Sequence, residues 1–103
     1  MSLFVAQEAA RNRLDEIYRY TLQNWGKEQA NAYIHGLFES FGNIETETVF
    51  SRPVPAELGD SGYYFRYRKH IVYWKRFRSG KIGIVTVLHE RMHLIDRLVD
   101  DFR

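Results

Sequence analysis

A chain of 103 residues has room for one domain, and a domain of this size buries roughly 65% of the surface its unfolded form exposes, enough to fold without a metal or a disulfide. The absence of cysteine excludes structural disulfides, thiol catalysis and cysteine-ligated zinc together. No apolar run approaches the ~20 residues that span a bilayer, and no secretory leader pattern follows Met1, so a soluble, cytoplasmic protein without membrane contact is expected.

Net charge is +2, but unevenly placed: residues 1–50 carry 4 Lys/Arg against 7 Asp/Glu, whereas residues 51–103 carry 11 against 6. In the second half Arg66, Arg68, Lys69, Lys75, Arg76, Arg78, Lys81 and Arg91 interleave with Tyr63, Tyr64, Phe65, Tyr67, Tyr73 and Trp74. That mixture suits a surface that meets nucleic acid or an acidic protein. It equally suits edge-strand charges that prevent sheet-to-sheet aggregation.

Ser2 to Val5 is short and apolar and has no helix cap, which fits a terminal strand added to a sheet. From about Gln7, Ala10, Leu14, Ile17, Tyr18, Thr21 and Trp25 recur at helical spacing, with Arg11, Asp15, Glu16 and Arg19 between them. Gly26 ends this amphipathic helix, because glycine accepts a positive φ without a Cβ clash. Ala30, Tyr33, Ile34, Leu37, Phe38 and Phe41 mark a second apolar stripe that Ile44 would continue, although Gly42-Asn43 is expected to end or fray the helix. Two such helices with so short a link form an antiparallel hairpin whose apolar face needs a partner layer.

Residues 45–62 hold both prolines and sustain no period, so they read as a loop with a short helical turn near Ala56 to Leu58. The chain is organised around its last third, Tyr63 to Met92. YYFRYR, HIVYWKRF and KIGIVTVL are rich in β-branched and aromatic residues and separated by short breaks, the pattern of a three-stranded antiparallel meander. The nearly unbroken apolar run Ile82 to Leu88 is the expected core strand, covered on both faces. After it, Leu94, Ile95, Leu98, Val99 and Phe102 recur at helical spacing and predict a short C-terminal helix. The fold class is therefore α+β, in the order β-α-α-β-β-β, within a single domain.

His89-Glu90-Arg91-Met92-His93 matches H-E-x-x-H, in which two histidines one helical turn apart hold zinc and the glutamate serves as general base. A zinc hydrolase would need both histidines on one helical face, with Asp96 or Asp100 as a third ligand. The match begins where a strand ends, so it reads as fortuitous, with no metal and no cofactor expected.

The ordered set Ala10, Leu14-Asp15-Glu16-Ile17-Tyr18-Arg19-Tyr20-Thr21, Trp25-Gly26, Glu28-Gln29-Ala30, Tyr33-Ile34, His70-Ile71-Val72-Tyr73 and Ile82 to His89 with Arg91-Met92 resembles ParE toxins of the ParE/RelE superfamily. The resemblance runs from residue 2 to about 98. Arg13 stands where the family usually has an acidic residue, and His93 stands where Asp usually follows the methionine. The resemblance implies a toxin of a type II toxin-antitoxin pair, held inactive by a ParD-like antitoxin whose flexible C-terminal segment covers the hairpin and sheet. Operator DNA would be met only through that antitoxin. ParE members typically inhibit DNA gyrase by binding, and RelE members cleave messenger RNA on the ribosome.

For a binding toxin the expected target contacts are His89, Arg91 and Met92, with Arg66, Trp74 and Arg78 on neighbouring strands. Trp74 packed under a helix is the plainer alternative. For a ribonuclease, His89 or Glu90 would supply base and acid, with Arg66 and Arg91 as cations. Leu14, Tyr18, Tyr33 and Leu37 are candidate antitoxin contacts, or else core between hairpin and sheet.

Overall fold

The computed structural model describes residues 4–54 and 62–91. In chain order they form β1 (Phe4–Ala6), α1 (Glu8–Trp25), α2 (Lys27–Glu45), β2 (Arg52–Pro53), β3 (Tyr63–Tyr67), β4 (His70–Arg76) and β5 (Ile82–His89). The strands make one sheet in the order β1-β5-β4-β3-β2. The expected meander is present, since β3 pairs with β4 and β4 with β5, both antiparallel. The expected terminal strand is also present as β1, which pairs parallel with β5 from Phe4↔Ile82 to Ala6↔Ile84. The predicted C-terminal helix, Met92 and the helical turn near Ala56 to Leu58 all lie outside the described residues.

Seven of the eight residues of β5 are buried, which makes it the strand the others are built against. On one face Ile82, Ile84 and Val87 join Phe65, Val72 and Trp74 to meet Ala10, Leu14 and Ile17 of α1 and Leu37, Phe41 and Ile44 of α2. On the opposite face Val85 and Leu88 pack with Tyr73 and Val54. The alternation slips once: Tyr73 pairs with Thr86 but Trp74 pairs with Ile84, leaving Val85 as an extra residue in a β-bulge. The bulge therefore sends Val85 and Thr86 to the same face. Burial of that face raises the Tyr73 hydroxyl pKa to about 12.

Gly26 alone joins the two helices. Its φ of +93° turns the chain sharply, and its N–H donates to the Leu22 carbonyl at 3.1 Å to close the last turn of α1. The Tyr18 hydroxyl then reaches Asn31 Oδ1 at 3.0 Å across the hairpin, the contact that antiparallel helices permit. Ala10 and Ala30 are both fully buried.

Two boundaries differ from the sequence reading. α2 continues through Gly42-Asn43 to Glu45 because Ile44, 3% exposed, anchors one further turn in the core. The stretch expected to be a loop before and after a helical turn contains β2, a two-residue strand pairing with Tyr63 and Tyr64 at the sheet edge. Its proline is tolerated because an edge strand needs hydrogen bonds on one side only.

Thr86 Oγ1 is fully buried and lacks a hydrogen-bond partner among the described residues. Burying such a hydroxyl unmatched costs about 1–3 kcal/mol. Thr86→Val keeps the shape and removes the polar atom, so chemical denaturation should show a gain of about 1 kcal/mol with an unchanged m-value.

Candidate functional site

The hairpin between β3 and β4 has only Arg68 and Lys69 at its turn, and Arg68 adopts φ +51°. This tight reversal pairs Tyr67 with His70, and the next ladder pairs His70 with His89. Three strands thus end level, and their last side chains gather with Tyr33 of α2 on the helix side of the sheet. The Tyr33 and Tyr67 rings meet edge to face at 5.4 Å, Tyr33 and His70 at 5.5 Å, and His70 and His89 at 5.3 Å. The Tyr33 hydroxyl and His70 Nδ1 lie 2.6 Å apart in a hydrogen bond whose donor depends on the His70 tautomer. Gly36 makes room for this packing, since a Cβ there would collide with the Tyr67 hydroxyl.

Burial sets the charge of this layer. It holds the His70 pKa down at about 4, with His89 adding to the shift and Glu90 opposing it. Burial also raises the Tyr33 pKa, partly offset by the Lys69 backbone. His70 and Tyr33 are therefore both neutral at pH 7. His89 Nδ1 accepts the Arg91 backbone N–H at 3.1 Å.

The other side of this end carries the charged groups. Arg66 on β3 forms an ion pair with Glu90, which follows β5, and its Nε donates to the Arg68 carbonyl at 2.8 Å. The Glu90 backbone N–H donates to the Lys69 carbonyl at 2.9 Å, tying the exit of β5 to the β3–β4 turn. Arg68 extends over the Tyr67 ring with its guanidinium carbon 5.7 Å from the centroid. An exposed Arg91 stands beside them.

The structure thus brings Arg66, His89, Glu90 and Arg91 to one end of the sheet. Arg78 is not among them: it lies in the turn after Arg76, at the opposite end of β4. Trp74 is 8% exposed, stacks on Tyr63 at 4.7 Å and donates from Nε1 to Ser51 Oγ at 3.0 Å, so it belongs to the core under the hairpin. Leu14 and Leu37 are also core residues, Tyr18 bridges the helices, and Tyr33 belongs to the polar cluster. His89 is extended, as the last residue of β5, and Glu90-Arg91 form a turn, so the H-E-x-x-H match does not start on a helix. Among the described residues no three His, Cys, Asp or Glu side chains converge on a point a metal could occupy.

Sequence reasoning missed His70 and Tyr67 as members of this cluster. The available signal was the two-residue break at Arg68-Lys69, which fixes the register and so places His70 beside the end of β5.

Residues 5–94 match the family described as ParE toxin of type II toxin-antitoxin system, parDE. The chain belongs to the ParE toxin family. It is 28% identical over 100 residues to Toxin ParE of Escherichia coli, covering 97% of this chain and 96% of that one. It is 27% identical over 96 residues to Toxin ParE1 of Mycobacterium tuberculosis, in both strain CDC 1551 / Oshkosh and strain ATCC 25618 / H37Rv, covering 93% of this chain and 96% of the relative. The expected family is thereby confirmed, and the role of toxin in a type II toxin-antitoxin system follows from it. The α+β fold of this ParE-family chain presents its polar cluster at the end of the strands that carry the resemblance.

The low pKa of His70 makes stability depend on pH. In the unfolded chain the imidazole binds a proton near pH 6.5, whereas in the fold it does so only near pH 4. Stability from the neutral group is complete above the unfolded value and is lost as pH falls from about 6.5 to about 4. Thermal melts over that range should show a smaller fall in Tm for His70→Gln than for the unmodified chain.

Proposed function

We propose that this toxin arrests growth by binding DNA gyrase and that a ParD-like antitoxin neutralises it. The reading places it in the cytoplasm, reaching operator DNA only through the antitoxin. The observation that carries binding over RNA cleavage is the Arg66–Glu90 ion pair. RNA cleavage at the 2′-hydroxyl needs a free base, a free cation for the developing phosphorane charge and an acid for the leaving oxygen. Here the carboxylate best placed as base neutralises the cation best placed for phosphate. His89 Nδ1 accepts a backbone N–H, and His70 is too weakly basic to hold a proton at pH 7. The same groups form a rigid, polar and aromatic knob, which is what a binding inhibitor needs.

In this reading Arg91, His89 and Met92 contact the target, and Arg66 frames the surface beside them. Arg91 suits the role because its side chain is exposed and its removal costs the fold little.

A supercoiling assay with purified gyrase, run beside a ribosome-coupled RNA cleavage assay on the same preparation, tests the proposal. Inhibited supercoiling or trapped double-strand breaks with intact RNA is the expected result, and Arg91→Ala should weaken the inhibition by about tenfold with an unchanged melting temperature. Cleaved RNA with unaffected gyrase would overturn it in favour of a RelE-type ribonuclease.

A further inference from the structure

Arg91, the cation assigned above to the target, stands two residues beyond the last rung of the sheet, where His89 pairs with His70. A side chain beyond the ladder is presented at a defined angle only if the peptide groups that carry it are fixed. Two bonds fix them here: the Glu90 N–H donates to the Lys69 carbonyl at 2.9 Å, and the Arg91 N–H donates to His89 Nδ1 at 3.1 Å. The second bond joins a side chain to the backbone two residues on, the spacing at which an Asn or Asp oxygen closes an Asx turn. His89 is the acceptor that shapes this turn.

An imidazole accepts at Nδ1 in one state only. The ring must be neutral with its proton on Nε2, and it must be turned so that Nδ1 faces the chain that follows. Packing behind the ring supplies that orientation. His70 lies across the ladder and meets the His89 ring edge to face at 5.3 Å and 87°. His70 is held in turn by the Tyr33 hydroxyl, 2.6 Å from its Nδ1, and by the Tyr33 ring at 5.5 Å. Tyr33 rests on Tyr67, and Gly36 leaves room for the Tyr67 hydroxyl. With its pKa held at about 4, His70 is neutral at pH 7 and puts no charge against the His89 ring. One line of contacts therefore runs from α2 through β4 and β5 to the Arg91 peptide.

We propose that His89 is a positioning residue for Arg91, closing its turn through Nδ1, and that Tyr33 and His70 serve the same surface by holding the His89 ring. The statement rests on the reading that Arg91 contacts the target. His89, placed beside Arg91 on that surface, acts through it. The bond is exposed and competes with water, so its loss leaves the fold in place and widens the range of directions Arg91 samples before docking.

Two amides separate this role from other uses of the imidazole. Asn sets its carbonyl oxygen where Nδ1 lies and can accept from the residue two positions on, whereas Gln sets it one bond farther out and cannot close that ring. In gyrase supercoiling assays His89→Asn should inhibit about fivefold more strongly than His89→Gln, with melting curves showing both folded. Tyr33→Phe removes the hydroxyl and keeps the ring. It should weaken inhibition about threefold in the unmodified chain and leave it unchanged in the His89→Asn background, where no ring remains to be held. A tyrosine that served only the fold would lower both backgrounds alike. Nitrogen NMR at about pH 8, where a free imidazole is neutral, should show His89 protonated at Nε2 and bare at Nδ1. Equal inhibition by His89→Asn and His89→Gln, or a His89 ring protonated at Nδ1, would overturn the positioning proposal and leave the gyrase reading standing. No inhibition by the unmodified folded chain would overturn both.

Discussion

Burial of β5 on both faces is the constraint on which the rest depends. A strand with seven buried residues must have every backbone group paired and both side-chain layers covered, or the cost of the exposed apolar surface and unmatched peptide groups prevents folding. β4 pairs with β5 from Ile82 to His89 on one side, and β1 pairs with Ile82 to Ile84 on the other. The helical hairpin covers one face, and Val54 with the rings of Tyr64 and Tyr73 contributes to the other. The bulge at Val85 and the single-glycine link between the helices are local solutions to the same demand.

Because β5 is fixed so firmly, its exit is fixed as well. His89 and Glu90 leave the sheet beside the β3–β4 turn, and the Glu90-to-Lys69 backbone bond holds them there. The resulting end of the sheet has a neutral aromatic and imidazole layer on the helix side and an Arg66–Glu90 pair on the other. Arg66 and Glu90 are matched to one another, and a matched pair suits a docking surface better than proton transfer. The proposed function is binding by shape and charge at this strand end.

Much of this was legible in the sequence, for identifiable reasons. The run Ile82 to Leu88 and the stripes Ala10 to Trp25 and Ala30 to Phe41 carry strong periods, so the elements they predict are present. Arg52–Pro53 carries no period because two residues cannot, and only the presence of β3 beside them makes a strand. Ile44 extends α2 past a glycine and an asparagine because its burial outweighs their weak helix propensity. Within the site, Arg66, His89, Glu90 and Arg91 were recognisable as polar residues at strand ends. Composition identifies a strand but not which end of it faces the site, so the sequence alone groups Arg78 with them. His70 and Tyr33 are 37 residues apart, and only the hairpin register together with the placement of α2 brings them into contact.

Catalysis and binding make opposite demands on Glu90, so the most direct test is the growth-arrest potency of Glu90→Gln compared with the unmodified toxin at equal expression. Glutamine preserves size and a hydrogen bond to Arg66 while removing the capacity to act as a base. Retained or increased arrest, with cellular messenger RNA intact, is the outcome expected of a binding toxin whose Arg66 has been partly released. Abolished arrest from a folded Glu90→Gln protein, accompanied by the loss of RNA cleavage seen with the unmodified toxin, would contradict the account and make Glu90 a catalytic base.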